Sequence, residues 1–60
     1  MQKKSIHCVR KAEECIAGAI SYLCAIHGED ASETKDILAD TRAVASRLHK
    51  VINDNQDATQ

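Results

Sequence analysis

From Ser5 to His27 the apolar residues recur with a helical period. Val9, Ala12, Ile16, Ala19, Leu23 and Ile26 follow a 3-4-3-4-3 spacing, the seam of an α-helical coiled coil. Ile20 widens this stripe on one flank, and Cys8, Cys15 and Tyr22 widen it on the other. Arg10, Lys11, Glu13 and Glu14 face outward. In the second half of the segment even the outward positions are small: Ala17, Gly18, Ser21, Cys24 and Ala25. A solvated helix face usually carries Lys and Glu instead. Small side chains let another backbone approach closely, so this surface, flanked by Tyr22, is the expected contact for a protein partner.

Gly28 stops the first helix. Glycine just past the last periodic residue enters the left-handed region without penalty, and His27 before it suits the negative end of the helix dipole. Asp30 reads as an N-cap, with Glu33 completing a capping box and Ser32 as the alternative cap. The second stripe is Ile37/Leu38, Thr41, Val44/Ala45, Leu48 and Val51/Ile52. Acids come early (Glu33, Asp36, Asp40) and bases late (Arg47, Lys50), as the dipole prefers. The pattern therefore predicts helix one over about 5–27, a turn at 28–30 and helix two over about 31–53, one hairpin domain spanning 1–53. Residues 54–60 (DNQDATQ) carry no apolar anchor beyond Ala58 and are expected to form a flexible tail.

Composition turns this hairpin into half of something larger. The chain has 60 residues, no Pro, Phe or Trp, and one Tyr. Folding a chain this short buries only about 60% of the surface its unfolded form exposes, and here the interior must be filled without large rings. Scaffolds of this size draw on disulfides, metals or self-association. The 3 cysteines fall in one helix, too far apart for a disulfide, and MQKKSIHCVRK contains no apolar core of a secretory signal. Free thiols and a cytoplasmic location are the expectation. The fold class expected is all-α, an antiparallel two-helix hairpin dimerising into a four-helix bundle. Its dimer core would comprise Val9, Ala12, Ile16, Ala19, Leu23, Ile26, Ile37, Leu38, Val44, Ala45, Leu48 and Ile52.

Charge is placed unevenly, although the net value is only −1. Lys3, Lys4, Arg10 and Lys11 lie at the open end of the hairpin, beside Arg47, His49 and Lys50. Glu29, Asp30, Glu33, Asp36 and Asp40 crowd the turn, opposed only by Lys35. An antiparallel dimer sets the basic end of one rod on the acidic turn of the other. Such complementarity selects orientation more than it adds affinity.

Other chemistry is thin. The apolar run Cys15–Ile26 has 12 residues, short of the roughly 20 that span a bilayer. Cys24 and His27 share a helix face and could supply two zinc ligands, and His7-Cys8 a second pair at the far end, but nothing completes a tetrahedral set. Cys24 with His27 is also the only local thiol–base pair, and it lacks an orienting group and an oxyanion site. No phosphate loop or Ser-His-Asp set is present. The sequence thus predicts no enzyme, no cofactor, no metal and no small-molecule substrate.

The length, the turn reading Asp30-Ala31-Ser32-Glu33 followed by Asp36-Ile37, and the small heptad positions Ala12 and Ala45 with Leu48 resemble the Rop family of plasmid copy-number regulators. The resemblance spans nearly the whole chain. It implies an antiparallel dimeric bundle that binds paired RNA loops through the outer side of helix one. Lys3 matches a basic position of that face and Arg10 replaces a polar one. Glu14 stands where the family carries its key aromatic, and Gly18 and Ala25 stand at a polar and a basic position. The expected function is a small regulator of bacterial or phage type, acting as a homodimer through protein–protein binding. The alternatives are RNA binding through Lys3, Lys4, Arg10 and Lys11, or a purely structural oligomerisation module.

Overall fold

The computed structural model describes residues 1–56. It contains two helices, α1 (Lys3–Cys24) and α2 (Glu29–Gln56), folded back on each other as an antiparallel hairpin. The rod measures 47 × 14 × 12 Å. Its radius of gyration is 14.1 Å, against about 10 Å for a compact globule of this length.

The turn forms as the glycine pattern predicts, with shifted boundaries. Gly28 has φ +70°, the left-handed conformation that glycine adopts without strain. Helix α1 ends at Cys24 rather than 27, because its last turn tightens. The Ala25 amide donates to Tyr22 O at 3.1 Å and the Ile26 amide to Leu23 O at 3.2 Å, both i→i−3 bonds of 3₁₀ type. Helix α2 begins at Glu29, two residues before the expected start, so Asp30 is a first-turn residue rather than the cap. Glu29 and Asp30 both sit where the positive end of the dipole favours carboxylates.

The far end differs more. Helix α2 runs three residues past the predicted end at 53, so residues 54–56 of the expected tail are helical. Asn55 explains this. Its Nδ2 donates to Val51 O at 2.8 Å, and its Oδ1 accepts from the Met1 ammonium at 3.1 Å. A polar side chain thus ties both chain segments at the open end. The remainder of the predicted tail, 57–60, lies outside the described residues.

The seam between the helices is a heptad lattice. In α1 the covered positions are Ile6, Val9, Glu13, Ile16, Ile20 and Leu23; in α2 they are Ala31, Thr34, Leu38, Thr41, Ala45, Leu48, Ile52 and Asn55, with Val51 half-buried beside the row. Both rows follow alternating steps of 3 and 4, the a/d positions of a coiled coil. Among the described residues only Ile6 and Ile52, at 6% and 8% exposure, are buried. The rest of the seam is half-buried.

Of the twelve residues expected in a dimer core, Ile52 is buried and Val9, Ile16, Leu23, Ile26, Leu38, Ala45 and Leu48 are half-buried. Ala12, Ala19, Ile37 and Val44 stay exposed in the hairpin. Helix α1 carries two interleaved apolar tracks that share Val9, Ile16 and Leu23. The track through Ala12 and Ala19 looks more regular in sequence, because Glu13 interrupts the other. The hairpin nevertheless closes on the track through Ile6, Glu13 and Ile20, which offers the larger side chains.

Candidate interaction surface

Reading the seam as positions a and d divides the rod into two unlike faces. In an antiparallel pair the e positions of both helices flank one side of the seam and the g positions flank the other. The e positions are Lys3, Arg10, Ala17 and Cys24 in α1, with Lys35, Arg42, His49 and Gln56 in α2. The g positions are Ser5, Ala12 and Ala19 in α1, continued by Ile26 just past its end, with Asp30, Ile37, Val44 and Val51 in α2.

Contacts on the e side confirm the assignment. Arg42 Nη2 donates to Cys24 Sγ at 3.4 Å, joining e to e across the hairpin. His49 Nδ1 lies 3.3 Å from Glu13 Oε1. A shallow groove on this side is lined by Arg10, Glu13, Glu14, Ala17, His49 and Ile52, and its neighbour by Lys3, Ile6, His7 and Arg10. This face is polar and already knitted together. Glu13 is its weak point, since Oε2 is buried without a hydrogen-bond partner, and unmet buried oxygens are costly.

The g side is apolar between its two ends, where Ser5 and Asp30 sit. Ile37 is 54% exposed and Val44 42%. A groove lined by Val44, Arg47, Leu48 and Val51 runs beside them. Ala12, Ala19 and Ile26 continue the surface across to α1, and Cys8, Cys15 and Tyr22 form its outer margin there. Tyr22, the one aromatic ring, is 81% exposed. The chain exposes 4779 Å², where a compact monomer of this mass would expose about 3,900 Å². The difference, about 900 Å², is slightly more than the roughly 800 Å² that each partner buries in a standard protein interface.

The six residues proposed as a partner contact do not share one face. Ala17 and Cys24 turn to the e edge, where Cys24 is engaged by Arg42. Gly18, Ser21 and Ala25 line the back of α1, and the Ser21 hydroxyl donates to Ala17 O at 3.2 Å. The space above Gly18 is open, since a Cβ there would meet nothing within 4 Å. Tyr22 belongs to the opposite margin. The basic set is similarly spread. Lys3 and Arg10 line the e-side groove with His7, whereas Lys4 and Lys11 lie on the back of α1, Lys11 Nζ 3.5 Å from Glu14 Oε2.

Cys8, Cys15 and Cys24 are all free and exposed. Among the described residues, no group of three or more His, Cys, Asp or Glu converges as a metal site, and no helix is long and apolar enough to cross a membrane. The split into a polar and an apolar face was not read from the sequence. Its signal was present in the two interleaved tracks of α1, one for each neighbour that the helix must meet. A helical hairpin by itself does not identify the Rop family, because one architecture serves many functions. No family model, no curated protein and no solved structure matches this chain.

Proposed function

We propose that this chain is a non-catalytic self-association module that acts by protein–protein contact, beginning with a second copy of itself. Two hairpins stacked on their g faces form a four-helix bundle in which Ala12, Ala19, Ile37 and Val44 become interior. The observation that carries this reading is the apolar middle of the g rows, Ala12 and Ala19 on α1 with Ile37, Val44 and Val51 on α2, in a hairpin where Ile6 and Ile52 are the only buried side chains among the described residues. Exposed apolar surface of this continuity marks an interaction site. Self-association is favoured over RNA binding because the net charge is −1 and carboxylates intrude on the basic set, Lys11 Nζ lying 3.5 Å from Glu14 Oε2.

Sedimentation equilibrium at tens of micromolar protein tests the reading. The expected mass is twice the 6.6 kDa of one chain. A helical species with the mass of a single chain at that concentration would refute it.

A further inference from the structure

We infer that the e face of the hairpin is a second docking surface, which seats an acidic amphipathic helix of another protein. It shares with the reading above only that the module works by protein contact, and it needs no second copy. The e positions hold Lys3, Arg10, Lys35 and Arg42, four of the 8 Lys and Arg, and none of the 9 Asp and Glu. His49 completes the row, and all five side chains are exposed.

The hairpin lays these groups end to end. His49 sits beside Glu13 and Arg42 beside Cys24, so the α2 groups take over along the rod where those of α1 stop. The order from the open end is Lys3, Arg10, His49, Arg42, Lys35. Neighbours on one helix are a heptad apart, about 10 Å at 1.5 Å per residue. That matches the roughly 10 Å screening length at 0.1 M salt, so the charges act on a ligand as one stripe along the 47 Å rod. Pairing within the hairpin leaves the stripe uncompensated. The acceptor that Arg42 meets is a sulfur. The ion pairs among the described residues join Lys11 to Glu14 and His49 to Glu13, and neither includes Lys3, Arg10, Lys35 or Arg42.

The ligand that fits this stripe is a helix. Carboxylates placed once per heptad on one flank of a helix recur at the same spacing of about 10 Å, and charges at such flanking positions set partner choice in coiled coils. Between the cations the two e-side grooves meet at Arg10, and their floors carry Ala17 and Ile52 in one and Ile6 in the other. An amphipathic helix offers apolar side chains to such a floor and carboxylates to its rim. A nucleic-acid strand fits less well. Tyr22, the one aromatic ring, lies on the opposite margin of α1, so the stripe has no platform for base stacking. The net charge of −1 also opposes a dense row of phosphates.

Fluorescence anisotropy of labelled synthetic probes tests this on the full chain. The first probe is a three-heptad peptide with Leu and Ala at its apolar positions and Glu on one flank. The others are its Lys counterpart, a scrambled peptide of the first one's composition, and a single-stranded RNA of equal length. Only the Glu peptide is expected to bind the native chain. Arg10→Glu combined with Arg42→Glu is expected to weaken it on the order of 10-fold and to make the Lys peptide the better ligand, an exchange that loss of structure would not produce. Both positions are exposed, and far-UV circular dichroism checks folding. Should the double reversal unfold, Arg10→Gln with Arg42→Gln is expected to lose the Glu peptide without gaining the Lys one. The inference is overturned if the Glu peptide does not bind, if its binding survives the substitutions, or if the scrambled peptide or the RNA binds as tightly. Sedimentation of the same variants keeps the two proposals apart. Their mass is expected to equal that of the native chain, and a change would place the e face in the self-contact and overturn the inference. A single-chain mass for the native protein refutes self-association alone, whatever the peptides do.

Discussion

Replacing Val44 with Glu is expected to dissociate the bundle and take much of the helix content with it. Val44 is 42% exposed in one hairpin, so in a monomer the substitution would be close to neutral. At the centre of a two-fold interface it acts twice. Each copy loses about 1.5 kcal/mol of valine burial and places a carboxylate in an apolar seam, where an unpaired charge is costly. A combined penalty of at least about 3 kcal/mol per dimer weakens association more than ~100-fold. Sedimentation velocity with far-UV circular dichroism reads both effects. Ser46→Glu, on the exposed outer surface of the same helix, is the control and is expected to change neither. If Val44→Glu behaved like Ser46→Glu, the g face would not be an interface.

The second large effect is expected from Ile52→Ala. Ile52 and Ile6 are the two buried side chains among the described residues, both near the open end of the hairpin. Truncating a buried isoleucine to alanine costs roughly 2–5 kcal/mol. In a domain of 60–100 residues each kcal/mol shifts Tm by about 4–8 °C, so a fall on the order of 10 °C or more is expected in a thermal melt. The Met1–Asn55 hydrogen bond at the same end does not offset it, since an exposed polar contact contributes only about 1 kcal/mol. A melt unchanged within 2 °C, on the same scaling, would mean that the open end is frayed and contributes nothing.

Much of the hairpin was legible because its signals are local. Gly28 marks the turn through its own backbone conformation, and the 3–4 spacing of Ile and Leu marks both helices. The boundaries were less legible because they depend on contacts distant in sequence. Asn55 extends α2 by bonding Met1, 54 residues away, and the tightening at Ala25 and Ile26 is set by how the chain must turn. The seam of α1 was misread for a different reason. Glu13 argued against its own track, yet its carboxylate reaches the e-side rim beside His49 while its aliphatic stem stays on the seam. Ile6 went unlisted because it precedes the regular run that begins at Val9. The candidate surface was legible only in part. Small outward residues such as Gly18 and Ala25 drew attention to the back of α1, while the structure leaves larger apolar groups, Ile37 and Val44, uncovered on the g face. Choosing between those surfaces requires knowing which side of each helix the hairpin has already consumed.

The central claim is that a chain with so few buried side chains completes its interior with a second copy. When folding and association are coupled in this way, Tm depends on protein concentration. Thermal melts followed by circular dichroism over a roughly hundredfold dilution series measure this directly. The account predicts that Tm falls by several degrees on dilution, with helix content lost as the dimer dissociates. A Tm that holds constant across the series, in a sample sedimenting as single chains, would contradict it.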